Sequence, residues 1–217
     1  MTTELNDLKV LYFGTPVVLL GTLNPDGTTN IAPMSSVWWL GRSALLGMGA
    51  SSQTTANLKR QGQVVINLVP PEMAGAVNKI ALLTGSRTPS ESKRAKGYRF
   101  EADKYGAAGL TERESVLVEP TRVAESPIQL ECCLVKARPL GYPEPFATCF
   151  EVHVRRVHVD EGLVLPGTSH IDPDAWDPLI MKFTEFYGGG SNVAESDLAG
   201  AWNMPAGDRR GLTPRTR

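Results

Sequence analysis

Val17-Val18-Leu19-Leu20-Gly21-Thr22-Leu23, Asn24-Pro25-Asp26-Gly27 and Thr28-Thr29-Asn30-Ile31-Ala32-Pro33-Met34-Ser35-Ser36-Val37-Trp38-Trp39-Leu40 form the stretch that decides how this chain folds. Two apolar runs flank a short polar turn. Pro25 presets φ, Asp26 can bond its own backbone, and Gly27 tolerates positive φ, so the runs fold back on each other as a hairpin. Pro33 has no N–H to give a ladder, so the second strand must break there or lie at a sheet edge. Either outcome frees the main-chain N–H groups of Met34, Ser35 and Ser36 for another partner.

A second polar cluster, Ala50-Ser51-Ser52-Gln53-Thr54-Thr55-Ala56-Asn57-Leu58, follows the strand-like Ala44–Met48. A helix starting near Ser52 presents unpaired N–H groups ringed by hydroxyls, an arrangement that attracts phosphate. Gln61-Gly62 stops that helix and Val64–Val69 reads as the next strand. Ordinary capping accounts for the same Ser and Thr residues, and a bulge accounts for Pro33–Ser36. From the residues alone, anion binding and plain architecture both stand.

The chain has 217 residues, enough to bury the core of one ordinary domain, and a formal net charge of −1 from 22 basic and 23 acidic residues. No global field favours nucleic acid or an anionic membrane. Cys132, Cys133 and Cys149 form no C-x-x-C pair, and His153, His158 and His170 are scattered, so neither a disulfide framework nor a metal cluster is expected. No apolar run has membrane-spanning length and no leader pattern opens the chain, so a cytoplasmic setting is expected.

Residues 1–16 read as a lead-in with helix-like spacing at Leu5, Leu8 and Leu11-Tyr12-Phe13. Residues 17–187 read as the domain and 188–217 as a C-terminal extension with Trp202 as its large anchor. Within the domain, a helix is expected from Glu72 to Leu83, and polar, basic helix and loop over 84–115. Strands are expected over Ser115–Arg122, Ile128–Arg138 and Thr148–Asp160, and a helix from Ala175 to Tyr187. Glu131, between apolar strand residues, is expected to pair with an arginine such as Arg122. Many short strands with few helices fit a mainly β fold, a six-stranded antiparallel barrel with peripheral helices.

Asn24-x-Asp26-Gly27, Ala32-Pro33-Met34-Ser35-Ser36, the Ser52-Gln53-Thr54-x-x-Asn57-Leu58 helix start and the strand ending Asn67-Leu68 resemble, in order and spacing, the flavin reductase-like, FMN-binding split-barrel family. Ala102-Asp103-Lys104-Tyr105, Ala108-Gly109-Leu110-Thr111 and Pro127–Cys132 continue the resemblance, which covers most of residues 10–160. It implies a split β-barrel that binds FMN, with FAD as the alternative flavin, and uses NAD(P)H as electron donor for hydride transfer to flavin N5. By the same resemblance, Ala50, Ser51, Ser52, Gln53, Thr54 and Asn57 lie at the phosphate and ribityl chain. Pro33, Met34, Ser35 and Ser36 lie at the ring edge. The phosphate needs a cation, for which the family suggests Lys104, with Lys79 and Arg87 as alternatives.

The resemblance further implies a homodimer with each flavin site at the subunit interface, where Trp38 or Trp39 and a Phe183–Tyr187 helix could supply a lid. Because the flavin carries the hard chemistry, no catalytic residue is implied. No G-x-G-x-x-G follows a strand pattern, so a Rossmann nicotinamide site is not expected. Basic residues over Lys93–Arg99 read first as a solvated helix face and second as a contact for NADPH phosphates. Two other readings remain: an FMN-binding electron carrier without turnover, and a cofactor-free structural barrel.

Overall fold

The computed structural model describes residues 10–194 and residue 196. Leu5 and Leu8 of the lead-in, and the tail from residue 197 with Trp202, lie outside the described residues.

Seven strands form the main sheet: β1 (Val18–Leu23), β2 (Thr29–Met34), β3 (Val37–Leu40), β4 (Ser43–Gly49), β5 (Gln63–Leu68), β6 (Ile128–Leu140) and β7 (Ala147–Val159). Their order across the sheet is β2-β1-β5-β6-β7-β4-β3, and every neighbouring pair is antiparallel. The expected count of six strands is therefore corrected to seven. The edges, β2 and β3, are consecutive in the chain and joined only by Ser35 and Ser36. The sheet must curl until its edges reach one corner, yet no ladder pairs β2 with β3, and the barrel stays split there. Pro33 sits opposite Leu19 on the edge strand, where its missing N–H leaves no ladder partner unsatisfied.

The opening hairpin forms as its residues dictate. Gly27 has φ 85°, Gly27 N donates to Asn24 O at 3.1 Å, and Asp26 accepts from both the N–H and the hydroxyl of Thr28. Helix α1 (Gln53–Gln61) starts at Ser52, whose side chain accepts from Thr55 N, and ends at Gly62 with φ 73°. One core fills the curl, built from Val18, Leu20, Leu46, Leu58, Ile66, Phe150 and Val152 among others. A second core packs the outer face, through Leu19 and Ile31, against helices α2 (Ala74–Ile80) and, beyond the short α3 (Glu91–Ala95), α4 (Lys104–Ala108). With Val18 and Leu20 facing one core and Leu19 the other, β1 is buried on both faces, which explains its uninterrupted apolar run.

Five local expectations are corrected. The helix expected over 72–83 is a 3₁₀ turn at Pro71–Met73 followed by α2. Residues 175–187 form no helix: Ile180–Lys182 and Glu185–Tyr187 make a hairpin, and Ile180–Lys182 pairs with a strand at Phe13–Pro16, replacing helix-like spacing in the lead-in. Pro178 disfavours helical φ/ψ at Asp177, and the main chain of Leu179 is engaged by Val17 N and Val69 O. The hairpin turn carries Phe183 and Thr184 at φ 50° and 81°.

Of Ser115–Arg122, only Arg122 enters a strand, Arg122–Val123. Main-chain donors of this segment go to side chains instead: Val116 and Leu117 N–H to Glu131, and Glu119 N–H to Gln63. Glu131 pairs with His158 at 2.6 Å rather than with Arg122, which binds Gln129 and the Glu114 carbonyl. Burial pushes the Glu131 carboxyl up, but the Val116, Leu117 and His158 hydrogen bonds outweigh it and leave it below the usual carboxylate range. Among the described residues no helix is long and apolar enough to cross a membrane, and no three His, Cys, Asp or Glu are grouped to hold a metal ion.

Candidate functional site

Where β2 and β3 fail to pair, a cavity of about 500 Å³ opens, within the range of small-molecule and cofactor sites. The end of β2 and the link to β3 supply Ala32, Pro33, Met34, Ser35 and Ser36. Strand β4 supplies Gly47, Met48 and Gly49, and the start of α1 supplies Ser52, Gln53 and Thr54. The two segments singled out by sequence thus meet across one space. Gly47 is held to the corner by its N–H bond to Ser36 O at 2.9 Å, and a Cβ on it would lie 3.2 Å from Ser36 Cβ.

Not every residue implied at the phosphate lines this space. Ala50 and Ser51 are exposed in the turn before α1 and lie outside the cavity wall. Asn57 is fully buried beneath it, accepting from Gln53 Nε2 and donating to Thr22 and Asn24, a structural clamp between α1 and the first hairpin. Lys79 lines no part of the cavity, and Arg87 stacks on Phe100 with its guanidinium carbon 5.0 Å from the ring centroid.

Lys104 does line the cavity. It is 3% exposed, and its Nζ donates to Ile31 O at 3.0 Å, capping a carbonyl of edge strand β2. Among the described residues that is the one acceptor facing its three ammonium donors. Burial pulls the ammonium down from 10.5 to about 8, the nearby Lys93 charge adds to this, and Glu101 opposes it. Next to Ile31, Asn30 is 2% exposed; its Nδ2 bonds Thr54 Oγ1 at 3.3 Å, while its Oδ1 has no partner among the described residues. Gly85 closes over this corner: a Cβ there would lie 2.5 Å from Asn30 Oδ1 and 3.0 Å from Gln53 Cγ. Backbone approaches the Asn30–Gln53 corner more closely than any side chain would permit.

Several wall residues were not anticipated. The 84–101 segment returns so that Leu83–Thr84 pairs in parallel with Arg99–Phe100, bringing Thr84, Gly85, Lys93 and Tyr98 to the cavity. The C-terminal hairpin contributes Met181, Thr184 and Phe186, and the N-terminal segment contributes Tyr12, whose hydroxyl lies 3.3 Å from Ser36 Oγ. Of these, Thr184 and Phe186 belong to the Phe183–Tyr187 segment expected as a lid, and Lys93 to the basic run read second as a contact for NADPH phosphates, whereas Tyr12, Thr84, Gly85, Tyr98 and Met181 were not expected at the site. The wall therefore joins apolar surface (Val17, Leu20, Met34, Met181, Phe186) to a corner of hydroxyls, amides and two lysines, and among the described residues no carboxylate lines it. Such a space suits a ligand with a flat apolar body and an anionic end.

A family model described as flavin reductase like domain matches residues 10–189. A protein of Bacillus subtilis (strain 168), described as uncharacterized protein YdfE, is 39% identical over 188 residues, covering 87% of this chain and 90% of that one. Among solved structures, flavoredoxin of Desulfovibrio vulgaris (Miyazaki F) aligns with a TM-score of 0.72 at 21% identity, covering 92% of this chain and 100% of that one. Nitrilotriacetate monooxygenase component B from Bacillus cereus aligns at 0.71 and 20% identity, covering 90% and 99%. The structural likeness carries the split-barrel fold, and the family match carries the rest: the chain belongs to the flavin reductase like domain family of flavin-related oxidoreductases.

Proposed function

We propose that this chain binds FMN in the split of its sheet and works as a flavin-dependent oxidoreductase with NAD(P)H as electron donor. The observation that carries the reading is the cavity itself, in which apolar walls run into a corner holding a buried ammonium and no carboxylate. The corner suits a phosphorylated flavin by its own chemistry: Lys104 has donors to spare, and Gly85 leaves room only for backbone. Lys104, Gln53 and Thr54 would hold the phosphate and ribityl chain, with Ser52 spending its side chain on the helix cap. Pro33, Met34, Ser35 and Ser36 would border the ring, with Met181 and Phe186 as apolar cover.

When bound, the flavin would supply two-electron redox chemistry that no protein side chain offers. The chain's own residues would hold the ring against the β2–β3 link, exclude water with Met34, Met181 and Phe186, and present main-chain N–H groups at its polar edge. A second copy of the chain would complete the site. Phe13 and Phe183 make an edge-to-face pair at 5.2 Å, Tyr12 beside them reaches Ser36 at the cavity rim, and Trp38 and Leu40 of edge strand β3 are 55% and 74% exposed. This apolar rim favours burial against a partner.

Anaerobic absorbance spectroscopy tests the proposal. Purified protein reconstituted with FMN is expected to hold the flavin through gel filtration and to lose its visible absorption when NADH or NADPH is added. Flavin that binds but resists both nucleotides would turn the reading to an electron carrier, and no flavin binding would sink it.

A further inference from the structure

A second cavity, also of about 500 Å³, lies away from the split and shares no wall residue with it. The short ladder of Glu112–Arg113 with Arg122–Val123 supplies Arg113 and Arg122, the start of β6 supplies Gln129, and the end of β7 supplies His158 and Asp160. Asp160 N donates to Pro127 O at 2.8 Å, which ties the end of β7 to the turn before β6.

The cationic side of this space is set in place from behind. Arg122 donates through Nε and Nη2 to Glu114 O and through Nη1 to Gln129 Oε1 at 2.6 Å, which uses three guanidinium N–H donors and leaves two. Gln129 is 4% exposed and is fixed in turn by the carbonyls of Val123 and Ser126. His158 spends Nε2 on the fully buried Glu131, which leaves Nδ1 for another partner. Arg113 faces Arg122 directly across the ladder, and like charges so placed are destabilising.

The carboxylates at the wall do not answer the arginines. Both oxygens of Glu125 accept from Thr111 N at 3.0 Å, and Asp160 accepts from Gly162 N at 2.9 Å. Among the described residues the only ion pair within 4.0 Å is the one between His158 and Glu131. No Phe, Tyr or Trp among them lines the cavity, so a nucleobase or flavin ring would find nothing to stack on. A lone inorganic ion would leave most of the space empty, and guanidinium forks match carboxylates two oxygens at a time.

We propose that this cavity binds a small organic acid carrying two or more carboxylates, held by Arg113 and Arg122 with His158 beside them. Such a ligand would offset the opposition of the two arginines and join the short ladder to the ends of β6 and β7. The site stands whether or not the split holds a flavin.

Isothermal titration of the full chain with citrate, against sodium chloride at matched ionic strength, tests this. Saturable citrate binding is expected, and it should persist with FMN present. Arg113→Gln should weaken it by about tenfold or more, and Arg113→Lys, which keeps the charge but not the fork, should weaken it less. The Arg113 side chain is exposed and bonds no other described residue, so without citrate its replacement should leave the thermal midpoint unchanged or raised. No heat beyond the chloride control, or citrate affinity unchanged by Arg113→Gln, overturns the proposal. Inorganic phosphate binding as tightly as citrate overturns the carboxylate assignment, and citrate binding lost in Lys104→Met but kept in Arg113→Gln overturns the location.

Discussion

Replacing Lys104 by Met should stabilise the ligand-free protein at neutral pH while weakening its binding of FMN. The buried ammonium ordinarily titrates at 10.5 and here at about 8, a difference of about 3 kcal/mol at about 1.4 kcal/mol per pH unit. Because the folded value is the lower one, the unfolded chain holds a proton between about pH 8 and 10.5 that the folded chain has shed. Lys104 therefore contributes a stability that rises with pH across that window, and its full penalty applies below about 8. Met removes the penalty but leaves Ile31 O without its Lys104 donor, a loss of about 1–2 kcal/mol. The variant should be more stable by about 1–2 kcal/mol at pH 7 and less stable by up to a similar amount well above pH 10.5, where the lysine is neutral in both states, with the gap shrinking and changing sign on the way.

Cys132, pushed up to about 12 by burial, and Tyr105, also pushed up by burial, erode stability from about pH 9 upward. They do so in both proteins and cancel in the difference. Urea unfolding of native and Lys104→Met protein at pH 7, 8, 9 and 10, without ligand, supplies that difference. A stability gap that stays constant with pH would refute the assignment of Lys104 as a buried, strained cation.

Gly85→Ala should weaken FMN binding by tenfold or more and also lower the unfolding midpoint, because its Cβ would lie 2.5 Å from the buried Asn30 Oδ1 and the corner must shift to admit it; isothermal titration checks it, and unchanged affinity would show that the corner is not used. Trp38→Asp, on the exposed edge strand, should shift the protein to monomer in light scattering and lower FMN affinity together, and a monomeric native chain would remove the partner from the site. Glu131→Gln should cost about 2–4 kcal/mol in urea unfolding, since two main-chain N–H groups and His158 lose a charged acceptor. Glu131 titrates low when folded, so its stabilisation is present above the ordinary carboxylate range and lost as pH falls through the folded value. The native chain should therefore lose its advantage over Glu131→Gln in acid.

What could be read from the chain was what local chemistry decides. Pro25, Asp26 and Gly27 specify their turn without outside help, and Ser52 and Gly62 bracket α1 by capping alone. Residues 175–187 misled because Trp176, Leu179, Ile180 and Phe183 recur at helical spacing, while the deciding facts were Pro178 and an unpaired strand at Phe13–Pro16 more than 160 positions earlier. The partner of Glu131 was equally remote from simple pattern. Gln129 faces His158 across the β6–β7 ladder, so His158 lies diagonal to Glu131 on the same side, a relation fixed by register. Half of the cavity wall was hidden for the same reason. Lys93 and Tyr98 look like a solvated basic run until the parallel pairing of Leu83–Thr84 with Arg99–Phe100 folds them inward.

The place where the sheet fails to close and the place where polar groups are poorly satisfied are the same place, and the first causes the second. An antiparallel ladder between β2 and β3 would occupy the outward main-chain groups of β2; without it, Ile31 O turns to a lysine. An ammonium recruited to a buried edge carries its own desolvation cost, and Lys93 raises that cost further. A ligand bearing a phosphate would satisfy the spare ammonium donors. Binding should therefore be strongest where the empty fold is weakest, so hydrogen exchange on adding FMN should slow most at Asn30–Met34 and Leu83–Phe100 and least in the β6–β7 ladder, whose amides are already paired. Uniform slowing across the sheet would mean that the ligand stabilises the whole barrel rather than its open seam.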